Sequence, residues 1–260
     1  FVLAVGLILM ALAGPWLAPY DPESMHFASR FAPPSWEFLL GTDSFGRDLL
    51  SRVLVGARST ILLALLATII GSTVGALIGL ISAYFGGRID EIIMRIVDAV
   101  MAIPGLLFAL LIISALGSSA INAVIAIGIT FAPGMARVSR SITLTVREQD
   151  YVAAAVARGE GAAWIILREI APNILAPVIV ESTIRVAFAI MLLATLSFLG
   201  MGAQPPSPEW GLMISDARAH LYRSPWPVIA PGVAIATVAV AFNLLGDGLR
   251  DVLNPRVQGG

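Results

Sequence analysis

The sequence has no cysteine and no lysine, and only two of its 260 residues are histidine. Without cysteine the chain has neither disulfides nor thiolate metal sites. Without lysine it has no phosphate-binding loop of the Walker type and forms no Schiff base with a substrate. His26 and His220 have no metal-ligand spacing around them, and no GxSxG nucleophile motif occurs. We therefore expect no catalytic residue and no metal site, and any ATP that drives this chain must be hydrolysed by another chain.

Charged residues are also scarce, at 13% of the chain, whereas a soluble domain carries roughly 25%. Hydrophobic residues make up 58%, and the mean hydropathy is +0.89. These values indicate an all-α polytopic membrane protein. The formal charge of −1 argues against a nucleic-acid partner. Because the sequence opens without methionine and inside an apolar run, we expect an N-terminal tail to precede it.

Long apolar runs predict six transmembrane helices. We expect Pro104 to bend the third of them, and Pro133 with Gly134 to break the fourth. The glycines of the second, at positions 71, 75 and 79, are four residues apart and permit close contact with a neighbouring helix. The six runs are residues 1–17, 60–85, 99–116, 121–135, 175–199 and 227–245.

These runs divide the chain into residues 1–57 (first span and polar outer segment), 58–250 (transmembrane core) and 251–260 (tail). In the outer segment, Thr42 or Asp43 is expected to cap an amphipathic helix that begins at Leu49. In a second polar connection, Ser207 is expected to cap a short helix over 209–221. Arginines are more numerous on the side of the loop at 148–173, which favours a cytoplasmic position for that loop.

The loop at 148–173 has the form of a docking element between the fourth and fifth spans. Its alanine-rich run at 153–157 favours a helix, because alanine loses no side-chain entropy there. Gly159 is expected to stop that helix, and a second short helix at 162–170 is expected to end before Pro172. An ordinary cytoplasmic connection would fit the same pattern, so the spacing alone leaves both interpretations open.

Glu181 and Arg185 form a charged pair inside the fifth span, four residues apart. Counted from Leu175, Arg185 lies ~15 Å into the membrane, near its midplane. A charge at that depth is costly unless it is paired or faces water. One interpretation is a self-neutralised pair packed against a neighbouring helix. The other is a polar wall of a transport path, in which Arg185 meets a carboxylate of the substrate.

Several stretches resemble the permease subunits of ATP-binding-cassette (ABC) importers, in the branch that handles dipeptides, oligopeptides and nickel. The most specific are LGTDSFGRD at 40–48 and FNLLGDGLRD at 242–251. The others are YFGG at 84–87, the loop at 148–173, and SFLG with QPP between 197 and 206. The resemblance covers nearly the whole chain.

This resemblance implies a type I ABC importer permease fold with six transmembrane helices and a cytoplasmic coupling helix. The chain would be the second of two homologous permease subunits in a bacterial inner membrane, surrounded by membrane lipid. Its partners would be the sister permease, two cytoplasmic ATPases and an extracytoplasmic solute-binding protein. ATP and Mg would be bound by the ATPases, and this chain would bind no cofactor.

The resemblance also implies which residues act in coupling and docking. In the family, the first helix of the loop enters a groove of the ATPase. Here Ala153 stands at the position of a family glutamate, which leaves the helix intact but removes that carboxylate from any salt bridge to the ATPase. The implied coupling residues are Tyr151, Ala153, Ala154, Ala155, Arg158, Gly159 and Pro172. The implied contacts with the binding protein are Asp43, Arg47, Asp48, Glu209 and Trp210.

The substrate stays open among dipeptides, longer peptides, glutathione and nickel chelates, all of which permeases of this branch handle. Arg185 favours a ligand that carries a carboxylate, such as a peptide. An ion-coupled secondary transporter is the alternative from another class. Such a transporter would show inverted repeats and mid-membrane carboxylates; only Glu181 is so placed, and no clear internal repeat is visible.

Overall fold

A computed structural model describes residue 6 and residues 13–253 of the chain, and the regular structure of this part is helical, apart from one isolated β-bridge between Thr42 and Asp48. Most of the first predicted span and of the tail at 251–260 lies outside the described residues. In chain order the helices are α1 Leu49–Phe85, α2 Gly87–Met101, α3 Gly105–Leu116, α4 Ala120–Arg147, α5 Asp150–Ala157, α6 Ala162–Phe198, α7 Trp210–Ala217 and α8 Trp226–Leu253.

In the described part of the chain, four helices are long and apolar enough to cross a membrane: α1, α4, α6 and α8. The pair α2 and α3 passes the same test only when taken together, and its two halves meet at 90°. The described residues therefore supply four spans, or five if the bent pair is one of them. The sixth predicted span falls on residues 1–17, most of which are not described.

Helix α1 differs from the predicted arrangement in its length and in its cap. An amphipathic helix at the membrane surface and a separate second span were predicted, but α1 is one helix of 37 residues. Its cap is Asp48, whose carboxylate accepts from the Ser51 backbone N–H at 2.8 Å. Asp43 instead closes the preceding turn, since its Oδ1 accepts from the backbone N–H of Phe45 and of Arg47. Nothing between the surface segment and the span stops the helix, so the two are continuous.

The bend expected at Pro104 is larger than a kink. Pro104 lies outside both helices and occupies the cap position of α3. A proline disfavours the helical conformation in the residue before it, so α2 has to end ahead of it. The bend predicted at Pro104 is therefore confirmed, and it takes the form of a 90° elbow at 102–104 between two helices.

The break expected at Pro133 and Gly134 is absent, because α4 continues from Ala120 through Pro133 to Arg147. Proline is tolerated inside membrane helices where neighbouring groups compensate for the lost backbone bond. The predicted end before Pro172 is also wrong. The residues Ile165–Ile170 form a π-helical turn, and the helix then continues through Pro172 to Phe198. A π turn changes the hydrogen-bond register, which relieves the loss of the proline donor.

The close contact expected of the glycines in the second span is confirmed, and its partner is α4. A Cβ added at Gly71 would lie 2.7 Å from the Gly128 carbonyl oxygen, and one at Gly75 would lie 2.7 Å from the Met135 Cβ. Such distances leave no room for a side chain. The backbones of α1 and α4 thus touch along several turns.

The short helix α7 is capped by Glu209 and not by Ser207 as predicted. Glu209 is fully buried, and its two carboxylate oxygens accept from the Gly211 and Leu212 backbone N–H groups at 3.0 and 2.9 Å. The indole of Trp210 donates to the Val53 carbonyl at 3.0 Å, which seats α7 on the start of α1. Burial raises the pKa of Glu209, in opposition to the hydrogen bonds it accepts.

We predict that Gly75→Leu lowers the free energy of unfolding by about 3 kcal/mol, because overpacking at a backbone contact forces the helices apart. Titration with SDS in detergent micelles measures the loss. The matched control is Val74→Leu on the exposed side of α1, where the side chain is 45% exposed. Equal stability of the two variants would contradict the contact.

We also predict a pH dependence that arises from Glu209. Because the folded pKa lies above the ordinary value of 4.5, the folded state binds this proton more tightly than the unfolded state. The contribution is therefore fully present below about pH 4.5 and is lost as the pH rises through the folded pKa. In melting curves from about pH 4 to about pH 8, Glu209→Gln should flatten the decline. The exposed control Glu37→Gln should leave it unchanged, and an equal slope in wild type and Glu209→Gln would rule out this origin.

Candidate coupling loop and translocation path

The turn between α5 and α6 is built around Gly159. Its φ is +79°, a conformation that glycine adopts without strain. Its N–H donates to the Val156 carbonyl at 2.9 Å, and the N–H of Glu160 donates to the Ala155 carbonyl at 3.2 Å. These two bonds are the Schellman pattern that ends a helix at a glycine. Gly159 therefore stops α5 as predicted and turns the chain towards α6.

The underside of α5 is fixed to two spanning helices. Val152 and Ala155 are buried together with Leu80, near the end of α1, and with Ile170 and Ile174 in α6. Because this small core joins all three elements, a displacement of α5 has to move the end of α1 and the start of α6.

The opposite side of the loop is open to solvent. Of the seven predicted coupling residues, six are exposed, and Ala155 alone is turned inward. Burial and the charge of Glu169 together raise the pKa of Tyr151, which lies at the edge of the exposed face. The six exposed residues are Tyr151, Ala153, Ala154, Arg158, Gly159 and Pro172.

Arg158 ties the turn to the π-helical segment. Its guanidinium lies 3.7 Å from the Glu160 carboxylate and 3.6 Å from that of Glu169, and 5.9 Å from the centre of the Trp164 ring. The side chain is half exposed, so each of these pairs adds little stability. Together they orient the guanidinium at the tip of the loop.

The pair in the fifth predicted span lies in α6 and faces α4. Glu181 and Arg185 are joined at 3.0 Å. The guanidinium of Arg185 is 6.0 Å from the centre of the Phe131 ring, and a Cβ added at Gly134 would lie 3.2 Å from its terminal nitrogens. The Nε of Arg185 is buried without a hydrogen-bond partner. The pair is therefore formed, and Arg185 still has an unused donor.

An apolar groove of about 470 Å³ between α1, α6 and α8 was missed by sequence reasoning. Some hydroxyls along it bond to their own helices: Thr68 donates to the Ala64 carbonyl, and Ser182 donates to that of Val178. The buried hydroxyl of Ser72, which also lines the groove, has no hydrogen-bond partner. Neither Glu181 nor Arg185 lines this groove. Because apolar side chains make up most of its lining, the groove offers little to a polar substrate.

The five predicted contacts with the binding protein are buried. Asp43 and Arg47 are 8% and 7% exposed and are paired at 2.6 Å, and Asp48, Glu209 and Trp210 are at most 2% exposed. A side chain with almost no exposed surface has no area to give to a docked protein. We therefore correct their expected role: they hold the outer segment together and place α7 on α1.

Arg52 is the residue of this region that sequence reasoning missed. It is 2% exposed, and its guanidinium donates to the carbonyls of Pro22 at 3.0 Å and Ser207 at 3.4 Å. It thereby joins the two outer connections of the chain. Burial raises the pKa of the nearby Asp216 in α7, against the attraction of Arg47 and Arg52. An arginine within the first turns of a long apolar helix was the available signal.

Comparison with known proteins gives a consistent assignment. The family "Binding-protein-dependent transport system inner membrane component" matches residues 75–259, and the "N-terminal TM domain of oligopeptide transport permease C" matches residues 1–34. The chain is 40% identical to the dipeptide transport system permease protein DppC of Haemophilus influenzae, over 99% of this chain and 89% of that protein. It is 42% identical to the di/tripeptide permease protein DppC of Pseudomonas aeruginosa, over 97% and 85%. It is also 42% identical to the glutathione permease protein GsiD of Escherichia coli, over 97% and 84%.

A solved structure shares the fold. The methionine ABC transporter MetNI, in inward-facing conformations, matches with a TM-score of 0.64 at 16% identity, over 78% of this chain and 96% of that chain. At that identity the match supports the architecture alone. The family match, the relatives and the spanning helices lead to one conclusion: the chain belongs to the inner membrane components of binding-protein-dependent transport systems, in the dipeptide and oligopeptide permease branch, and is a multi-pass protein of the bacterial inner membrane.

Proposed function

We propose that this chain is the permease subunit of an ATP-driven importer for di- and oligopeptides. The observation that carries the proposal is the α5 loop, whose underside is fixed to α1 and α6 while its outer face is open. A loop built in this way transmits a push from a partner to two spanning helices. The peptide substrate is supported by the relatives, two of which bear the names of dipeptide and di/tripeptide permeases.

Glutathione is the second candidate substrate. The relative named for glutathione transport is as similar to this chain as the di/tripeptide relative, at 42% identity. Glutathione is itself a small peptide with free carboxylates, so a single arginine in the path would serve both. Arg185 retains an unpaired donor for such a group.

The proposed topology has six spans, with residues 1–17 as the first and the bent pair α2 and α3 as the third. The α5 loop then lies on the cytoplasmic side, as the coupling helix. A sister permease completes the path, two cytoplasmic ATPases bind ATP and Mg, and a solute-binding protein delivers the substrate from outside. This chain is non-catalytic in that assembly, since it contains no lysine for a phosphate-binding loop.

In this mechanism, closure of the ATPases moves the groove that holds α5. The core of Val152, Ala155, Leu80 and Ile174 passes that movement to α1 and α6. Because α1 touches α4 through backbone contacts, α4 follows α1 as one body. The path between the two permeases then changes the side on which it is open.

We predict that Gly159→Pro leaves the complex assembled but uncouples ATP hydrolysis from uptake. Proline fixes φ near −65° and has no N–H, so the turn at φ +79° and the bond to Val156 are both lost. Uptake and ATPase rates in proteoliposomes measure the coupling. The matched control is Gly161→Pro, where φ is already −71°. Normal coupling in Gly159→Pro would refute the role of the loop.

We predict that Arg185→Leu reduces peptide uptake by about tenfold or more while ATPase activity survives, because a charged hydrogen bond to a substrate carboxylate is lost. The single variant leaves Glu181 without its partner, so Glu181→Gln combined with Arg185→Leu is the matched control. If the pair is only structural, the double variant restores uptake. If Arg185 meets the substrate, uptake stays low, and unchanged uptake in the single variant removes Arg185 from the path.

A further inference from the structure

An open space of about 660 Å³ lies between helices α2 and α4, and its lining is charged, whereas that of the groove between α1, α6 and α8 is apolar. Six of its eight lining residues are charged, with three acids and three arginines. The lining residues are Gly87, Asp90, Glu91, Met94, Arg95, Asp98, Arg137 and Arg140. Neither the coupling loop nor the Glu181 and Arg185 pair accounts for this cluster.

The position of α3 places this space beside the second half of α4, towards the α5 loop. α3 runs antiparallel to α4, since the Asn122 amide donates to the Leu116 carbonyl and a Cβ added at Gly105 would lie 3.2 Å from the Thr130 methyl group. With 12 residues, α3 is only ~18 Å long. Its first residue, Gly105, lies beside Thr130, in the middle part of α4. Beyond that point, towards the α5 loop, α4 faces α2 across the charged space.

Charges of this kind exclude lipid from the space. The side chains of Asp98 and Arg137 are 58% and 50% exposed, so both reach into it. Ionised groups at membrane depth face water or a protein partner, because hydrocarbon does not solvate them. The space between α2 and α4 is therefore open to water or to a protein partner.

Two ion pairs of unequal burial hold α2 against α4. The carboxylate of Asp90 accepts from Arg140 through two nitrogens, at 2.6 and 2.5 Å, and also accepts from the Ser82 hydroxyl. Asp98 and Arg137 share one bond at 2.5 Å. A two-point pair with a third donor fixes geometry, whereas a half-exposed single pair dissociates at little cost.

Both ends of α2 have the form of hinges. At one end, Gly86 and Gly87 have φ of +64° and +54°, and at the other lies the elbow before Pro104. Hinges of this type absorb a change of direction while the helix between them stays rigid. Helix α2 is thus a rigid segment between two hinges. Its Asp90 is fixed by the two-point pair with Arg140, and its Asp98 is held more loosely by the half-exposed pair with Arg137.

The space continues the line of the Glu181 and Arg185 pair. Thr130, Gly134 and Arg137 recur at helical spacing on one stripe of α4. Arg185 lies against Gly134, and Arg137 lies one turn further towards the α5 loop. Polar groups therefore follow one another along the same face of α4.

We propose that the space between α2 and α4 is the inner aqueous vestibule of the path, and that the Asp98 and Arg137 pair is its dissociable latch. When the pair opens, α2 turns about the fixed Asp90 and Arg140 contact and the vestibule widens. The opened pair presents one carboxylate and one guanidinium, which suit the ammonium and carboxylate ends of a zwitterionic peptide. This inference rests on the proposed function of peptide import.

The first test uses charge reversal in the complete importer, reconstituted in proteoliposomes. Arg137→Asp should lower uptake of a dipeptide by roughly threefold or more, because two carboxylates then repel across the latch. Asp98→Arg combined with Arg137→Asp restores the pair and should restore uptake. The matched control is Arg88→Asp, a charge reversal at an exposed residue of α2 that does not line the space, and it should have little effect. Failure of the double variant to recover, in an assembled complex, would overturn the latch.

The second test does not depend on the substrate. Because the chain has no cysteine, Met94→Cys introduces a single thiol at the wall of the vestibule. A charged, membrane-impermeant thiol reagent should label it, and the rate should rise severalfold when Arg137→Asp is added but not when Arg88→Asp is added. An unlabelled thiol would overturn the aqueous vestibule.

The two tests separate this inference from the proposed function. If labelling responds to Arg137→Asp while the wild-type complex hydrolyses ATP but imports no peptide, the substrate assignment fails and the vestibule stands. If the wild-type complex imports peptide while Arg137→Asp matches Arg88→Asp in both uptake and labelling, the vestibule fails and the function stands.

Discussion

The backbone contact between α1 and α4 is the constraint on which the rest of the structure depends. Membrane helices have no hydrophobic driving force between them, so close packing of small residues has to hold them together. Gly71, Gly75 and Gly79 provide that packing, and a Cβ at Gly79 would lie 2.7 Å from the Arg140 backbone nitrogen. The contact thus extends to the turn of α4 that pairs with α2. The two helices form one body, and the α5 loop and α2 are both attached to the same end of it.

The α5 loop uses this body as its support. Its buried side contacts Leu80 of α1 and Ile174 of α6, so one push reaches two helices at once. The π-helical turn Ile165–Ile170 lies between the loop and the apolar part of α6. A π turn contains an extra residue relative to an α turn and is a frequent site of adjustment. The contact to α1 is made by rigid packing, whereas the connection to α6 passes through a segment that can change register.

The sequence predicted features that depend on local chemistry and missed those that depend on a distant partner. Apolar length located the four spanning helices, and Gly159 stopped α5 because its φ is set within one turn. The helix ends at Pro133 and Pro172 were wrong, since compensation for a lost backbone bond comes from the fold. Asp43 and Trp210 were taken for surface residues, yet their burial depends on Arg52 and Val53. The pairing of Asp98 with Arg137 joins residues 39 apart, and no local pattern reveals it.

The charged groups along α4 are paired but remain open on one side. Arg137 and Arg140 belong to α4, and Arg185 of α6 lies against it. Each of the three has an acidic partner within 3.0 Å. Lone charges at these depths would make the isolated subunit costly to insert, and pairing removes most of that cost. The same pairs still need water or protein on their open side, because the side chains of the Asp98 and Arg137 pair are about half exposed. A second permease that covers this side would complete a polar channel between two apolar exteriors, and the labile pair would then lie where the substrate leaves.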